Sequence, residues 1–427
     1  MVGKGAKLLL PLIGLVVLLQ SSCADGAAPE PGPGNQANDR ISITNDAATL
    51  ATRVTYYDED VPIDGSGVGY PAPSSSALSL SVQAAPGVQA APPTQRTLRL
   101  RAEVAPPSIG GQVLQATSVA IVGNRAVVGY NMRGEPHLGA VDVFDISNRN
   151  RPVLRSQALF QDADINSVST FGQLVFAAEA TGDPAFQSPA VFEVMYLQGN
   201  NLILDGNYRW ALSSFAGTSA MASGTKAYAT SGDNGALFAI DLSSAPVSVD
   251  LHDARWVDVA GGKVVVVQGT PGQLSVFDEA TFAPLGTFPF TGADVAESKS
   301  TVELAGGKAF IAAGSGGVQV LSATTGTVVG SVPRPDPAAL GLDPSVVVTN
   351  AASVEGDLLF ISNGEAGVYV AQGSQVFSTT GSEAQQTITM VGRLRFGNLQ
   401  SVNHVAFRNG NLIIAAGLGG LKIVQVN

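Results

Sequence analysis

One phrase recurs seven times from residue 118 onward in this 427-residue chain, and it restricts the fold more than any other feature. Each copy is a short apolar run, a turn rich in Gly or Asn, a second apolar run, a loop and a third apolar run. The first two runs and their turn occupy residues 118–129, 167–178, 218–230, 256–267, 300–313, 351–362 and 402–416. Between the turn glycines Gly123, Gly172, Gly224, Gly262, Gly307, Gly356 and Gly410 the step is about 38 to 54 residues. Three to four strand-sized pieces at such a period are the spacing of a β-propeller blade. The expected fold is therefore all-β, a seven-bladed β-propeller over residues 96–427.

The local chemistry agrees. Glycine pairs between two strand runs supply the positive φ of a tight hairpin. The second run of a unit is apolar on consecutive positions (Val264 to Val267, Leu358 to Ile361), which means that both faces are covered. The last run alternates (Leu394, Arg395, Phe396), as an outermost strand with one wet side does. The seventh unit has only three strands, and a spare fourth-type strand runs from Thr97 to Val104 ahead of the first unit. The N-terminal strand is thus expected to join the C-terminal blade and close the ring, which protects sheet edges.

The third strands carry a family resemblance. Residues 140–147 end Asp145-Ile146-Ser147 with Pro152 after them, residues 236–243 end Asp241-Leu242-Ser243 with Pro246 after them, and residues 273–278 end at Asp278. These pieces resemble LVIVD repeats of bacterial and archaeal cell-surface β-propellers. The resemblance implies a surface scaffold and names no ligand. Units five to seven lack the Asp. Its carboxylate is also expected to accept backbone N–H groups in the turn that ends the strand.

The N-terminus has a second kind of organisation. Lys4 and Lys7 precede an apolar stretch from Leu8 to Leu19, too short to span a bilayer as a mature helix, and the only cysteine, Cys23, follows at once. This resembles a bacterial lipoprotein signal over residues 1–22 with lipidation of Cys23. Ordinary cleavage after Ala24 is the alternative. A chain with one cysteine suits an oxidising exterior. Residues 23–95, rich in Pro, Ala, Ser and Gly, read as a disordered tether, and the island from Arg53 to Asp60 as a solvated acidic spot. The expected location is the cell envelope, outer membrane or cell surface, with the lipid as sole membrane contact.

Charged residues make up only 13 %, and the 34 acids outnumber the 23 basic residues. That balance argues against a nucleic-acid partner. By fold analogy, loops entering the innermost strands and loops joining second to third strands share one face around the axial opening. Ligand-binding candidates on that face are Arg133, Glu135, His137, Asp164, Asn166, Asp183, Asp233, Arg255, Trp256, Lys299, Asn350, Asn403 and His404. Two long loops share a Gly-acid-Pro core, Gly134-Glu135-Pro136 and Gly182-Asp183-Pro184. Asp162, Asp164 and Asn166 open like a Ca²⁺ loop, but Ser167 and Gln173 stand where its Gly and Glu belong. Neither a metal nor a cofactor is expected, and no catalytic residue is nominated. The primary expectation is a non-catalytic scaffold for a protein, peptide or glycan, with Trp256 beside Arg255 as an aromatic anchor. A lactonase-like hydrolase using Asp164, Glu135 or His404 is the alternative, and a purely structural envelope component is the third.

Overall fold

All seven turn glycines adopt left-handed backbone, with φ between 58° and 76°. Only glycine enters that region without strain, so the hairpins form where the repeat places them. The structure is a computed structural model that describes residues 34–64, 97–224, 226–296, 298–379, 381–396 and 400–427. Seven antiparallel sheets make a seven-bladed β-propeller. Their innermost strands are Gln115–Val122, Ala163–Phe171, Ser219–Ser223, Ala254–Ala260, Val302–Ala305, Ala351–Glu355 and His404–Arg408. Second strands such as Leu358–Ser362 and Asn411–Ala415 are buried at every residue, as consecutive apolar positions require.

Closure follows the expected route. The strand Leu98–Val104 pairs antiparallel with Leu421–Val426, Lys422 opposite Glu103, and completes blade seven from outside. Its burial alternates strictly, and Ala102 and Val104 are buried. The third-strand acids also do what their position demands. Asp145 Oδ1 accepts Ser147 N at 3.0 Å, Asp241 Oδ1 accepts Ser243 N at 3.0 Å, and Asp278 Oδ1 accepts Thr281 N at 2.8 Å. Hydrogen bonds of this kind hold Asp241 and Asp278 below the usual carboxylate range.

The tether needs correction over residues 34–64, which are folded against the ring. Ile41–Thr44 adds a fifth strand to blade one through pairing with Val153–Phe160, and buries Ile41 and Ile43. Asp46 caps a single helical turn, Ala47–Ala51, by accepting Thr49 N at 2.8 Å, and Leu50 of that turn is buried. Val54–Asp60 then pairs with the closing strand of blade seven, and Ile63–Asp64 with the outer strand of blade six. The supposed acidic spot lies in this path: Asp58 and Asp60 pair with Arg99 at 2.8 and 3.0 Å. The segment is a belt over blades one, seven and six, the three blades that flank the closure.

Two arginines of the belt reach wholly buried carboxylates, Arg40 that of Glu193 in blade two at 3.0 Å and Arg53 that of Asp142 in blade one. Arg53 Nη1 and Nη2 reach Asp142 Oδ1 and Oδ2 at 2.9 and 2.8 Å, with Asp142 wholly buried on the third strand of blade one. The same guanidinium donates to Ala105 O and lies 6.0 Å from the Tyr130 ring centre. Cys23, the apolar stretch from Leu8 to Leu19, and residues 65–96 lie outside the described residues.

Candidate functional site at the axial mouth

Each innermost strand begins at one end of the axial channel, and there, in six of the seven blades, a side chain turns toward the axis. In blades one, two and four a register shift does this: Thr117, Asn166 and Arg255 are the extra residues of bulges. In blades three, six and seven it is the residue just before the strand, Thr218, Asn350 and Asn403.

These side chains bind the ring to itself. Thr117 Oγ1 donates to Ile165 O of blade two at 2.8 Å, and Asn166 Nδ2 to Gly217 O ahead of blade three at 2.9 Å. Thr218 Oγ1 donates to Ala254 O of blade four at 2.8 Å, and Arg255 Nη1 to Val295 O on the way to blade five at 2.8 Å. Blade five answers with its backbone, Thr301 N to Asn350 O at 3.1 Å. Asn350 Nδ2 then reaches Val402 O at 3.4 Å, and Asn403 Nδ2 closes the circuit on Ala116 O at 2.8 Å. Every link points to the next blade in chain order. The physical reason is the innermost strand edge, whose carbonyls would otherwise lack donors.

Within the circuit lies a cavity of about 330 Å³, lined by Asn131, Asn166, Arg255, Lys299, Asn350 and Asn403 among others. Five nominated residues thus converge here, four of them also as clasps. Arg255 is fully occupied: Nε and Nη2 bond Asp253, Nη1 bonds Val295 O and Ser300 Oγ, and Nη2 also meets Thr270 Oγ1. Gly269 makes room for it, since a Cβ there would lie 2.1 Å from the guanidinium. Trp256 is buried beneath the mouth and stacks on His404, ring centres 5.2 Å apart. The pair lines a second space of about 180 Å³ farther along the axis. That lower space holds Asp258, Glu303 and Arg408, with Glu303 bonded to Arg408 at 2.9 Å and pushed up to about 7 chiefly by burial.

Lys299 is different. Its Nζ donates to Asn166 O at 2.8 Å and lies 5.8 Å from the Trp256 ring centre, and among the described residues no carboxylate pairs with it. Desolvation pushes it down to about 8. Burial, with the Lys299 charge beside it, pushes His404 down to about 3, and His404 Nδ1 has no hydrogen-bond partner among the described residues.

The other nominated residues lie away from this cavity. His137 Nδ1 is 2.6 Å from Asp164 Oδ2, and its Nε2 is 3.4 Å from the exposed Glu135. Asp164 also accepts Met132 N at 3.0 Å, and burial raises it. Arg133 is exposed on the same loop. Asp183 pairs with Arg209 at 2.8 Å, and Asp233 with His252 at 3.1 Å. The hydrolase trio is consequently divided, Asp164 and Glu135 around His137, His404 lining the second space. The calcium-like triplet is divided as well. Asp162 meets Arg40 at 2.7 Å, Asp164 meets His137, and Asn166 faces the mouth, because Asp162 lies ahead of the strand Ala163–Phe171 and the bulge takes Asn166 out of the strand's alternation.

Sequence reasoning missed Thr117, Thr218 and Asn131. A hydroxyl or carboxamide at the start of each innermost run was the available signal. Phe215, 61 % exposed on the cavity rim, was missed too.

No protein-family model matches the sequence, and no curated protein matches it. Among solved structures the chain is similar to the WD40 β-propeller domain of Doa1, with 12 % identity, TM-score 0.49, and coverage of 73 % of this chain and 93 % of that one. It is also similar to the computationally designed Ika8 protein, with 14 % identity, TM-score 0.46, and coverage of 78 % and 94 %. A third is BamB from Moraxella catarrhalis, with 13 % identity, TM-score 0.42, and coverage of 73 % and 85 %. The assignment of the fold stands on the strand pairing above.

Proposed function

We propose that this protein is a lipid-anchored scaffold of the bacterial cell surface whose mouth-bearing face holds a peptide or protein partner. The observation that carries the binding reading is apolar side chain left in water around a polar, rigid mouth. Phe215, Leu418 and Val113 are 61 %, 51 % and 49 % exposed. Phe215 lines the cavity beside blade three, Leu418 sits in the second-to-third turn of blade seven, and Val113 lies just ahead of blade one. Exposed apolar groups rimming a polar centre are what a protein partner covers.

The test is selection from a phage-displayed random peptide library on the full chain. Selected peptides should lose about tenfold or more in affinity for the Phe215→Ser/Leu418→Ser double variant. They should keep their affinity for Val122→Ser/Phe171→Ser, which alters the hairpins at the opposite ends of the innermost strands. The reverse pattern overturns the reading, as does a library that yields no binder.

The lipid anchor rests on Lys4, Lys7, the apolar stretch to Leu19, and Cys23, and surface location on the LVIVD-like third strands. Expressed in a bacterium with an alkynyl palmitate, the chain should be labelled and enter the detergent phase, and Cys23→Ser should do neither. An unlabelled wild-type chain would replace lipidation with ordinary cleavage near Ala24.

A further inference from the structure

We propose that the mouth cavity is a carboxylate site, in which Lys299 ion-pairs with a single carboxylate on a peptide that otherwise carries no negative charge. The proposal rests on the reading of this face as a docking surface and adds the chemistry that its centre recognises.

Lys299 carries a charge that has no counter-charge among the described residues. An ammonium has three donor hydrogens, and Lys299 spends one on Asn166 O. Among the described residues its neighbours offer no anion. Asp253 is committed to Arg255, His404 is held neutral, and Glu303 and Asp258 line the second space. A partly desolvated cation without a partner is costly to keep, and a bound anion relieves that cost.

The rest of the cavity narrows the anion. Arg255 has no donor to spare, so one cation faces the ligand and a monoanion balances it better than a phosphate dianion. Thr117, Asn166, Thr218 and Asn403 are engaged between blades and Asn131 Oδ1 is the acceptor left over, which leaves little to satisfy the many hydroxyls of a sugar acid. Phe215 and Leu418 offer apolar contact beside the cavity instead. Farther out the second-to-third turns expose Asp233 and Glu365, with Asp294 beside the turn of blade five, and the chain carries a net charge of −11. A ligand with further negative charges would be repelled there, whereas neutral or basic flanks would not.

Trp256, under Lys299, is a built-in reporter. In a Trp210→Phe background its fluorescence would be titrated with N-acetylphenylalanine, N-acetylphenylalaninamide, glucuronate and inorganic phosphate. The acid should bind in the millimolar range, and the amide about tenfold or more weaker, the usual worth of a charge-assisted hydrogen bond. Affinity for the acid should hold below about pH 8 and fall above it, as Lys299 loses its proton. Lys299→Met should abolish the preference for acid over amide while unfolding at the same temperature as the parent or higher. Acid and amide binding alike, no binding by the acid, or a preference surviving in Lys299→Met would each overturn the proposal. Tighter binding of glucuronate or phosphate would do the same. If library-selected peptides depend on Phe215 but not on Lys299, the docking face stands and the carboxylate site falls.

Discussion

Arg53→Met is expected to destabilise the protein by about 3 to 5 kcal/mol, the usual cost of leaving a buried charge without its partner. Asp142 has no exposure, and Arg53 supplies both of its bidentate contacts, with Gln157 Nε2 adding a third bond at 3.2 Å. Removing the guanidinium leaves a carboxylate in the wall of blade one with one neutral donor. Arg53→Lys should fall between, because an ammonium keeps the charge but not the two-pronged geometry. The double variant Arg53→Met/Asp142→Leu should recover most of the loss. Denaturant unfolding measures all three, and a loss below about 1 kcal/mol for Arg53→Met would show the belt to be loosely held.

A larger effect is expected from a chain that begins at Val113. It lacks the strand Leu98–Val104 and the belt together, so Leu421–Val426 loses its outer neighbour and blade seven stays incomplete. Such a chain should show no single cooperative transition, and its exposed strand edge should promote aggregation. A chain that begins at Thr97 keeps the closing strand and loses the belt, with its contacts through Ile41, Ile43, Leu50 and Val61 and the ion pairs of Arg40 and Arg53 with Glu193 and Asp142. It should fold with lowered stability. Calorimetry separates the two, and a Val113 chain that melts with the full-length protein would refute this account of closure.

The blades were readable because each repeat glycine answers a local demand, a positive φ in a short hairpin, that leaves a mark in sequence. The closing strand was readable for a similar reason, since Leu98, Leu100, Ala102 and Val104 alternate with charged residues. The belt was not. Its strands are short, Ile41–Thr44 and Ile63–Asp64 among them, and the Pro- and Ser-rich residues around them dominate any averaged composition. What recruits the belt are Asp142 and Glu193, which read as polar residues within apolar strands. The mouth was half readable. Position within the repeat brought Asn166, Lys299, Asn350 and Asn403 to one cavity, but the clasp bonds join residues in different blades and have no local signature. Trp256 looked like a free recognition group because its partner, His404, becomes a neighbour only when the ring closes, whereas the partner of Arg255, Asp253, stands two positions away and was passed over.

Blade seven draws its strands from distant parts of the chain: Lys422 meets Glu103 across 319 positions. During synthesis the early strand therefore waits, edge uncovered, until the last blade emerges from the ribosome. Pairing so remote makes the final step of folding slow and leaves the nascent polypeptide open until then. A wheel that shuts last can pass through a narrow translocation pore as an unfolded thread and be completed on the far side.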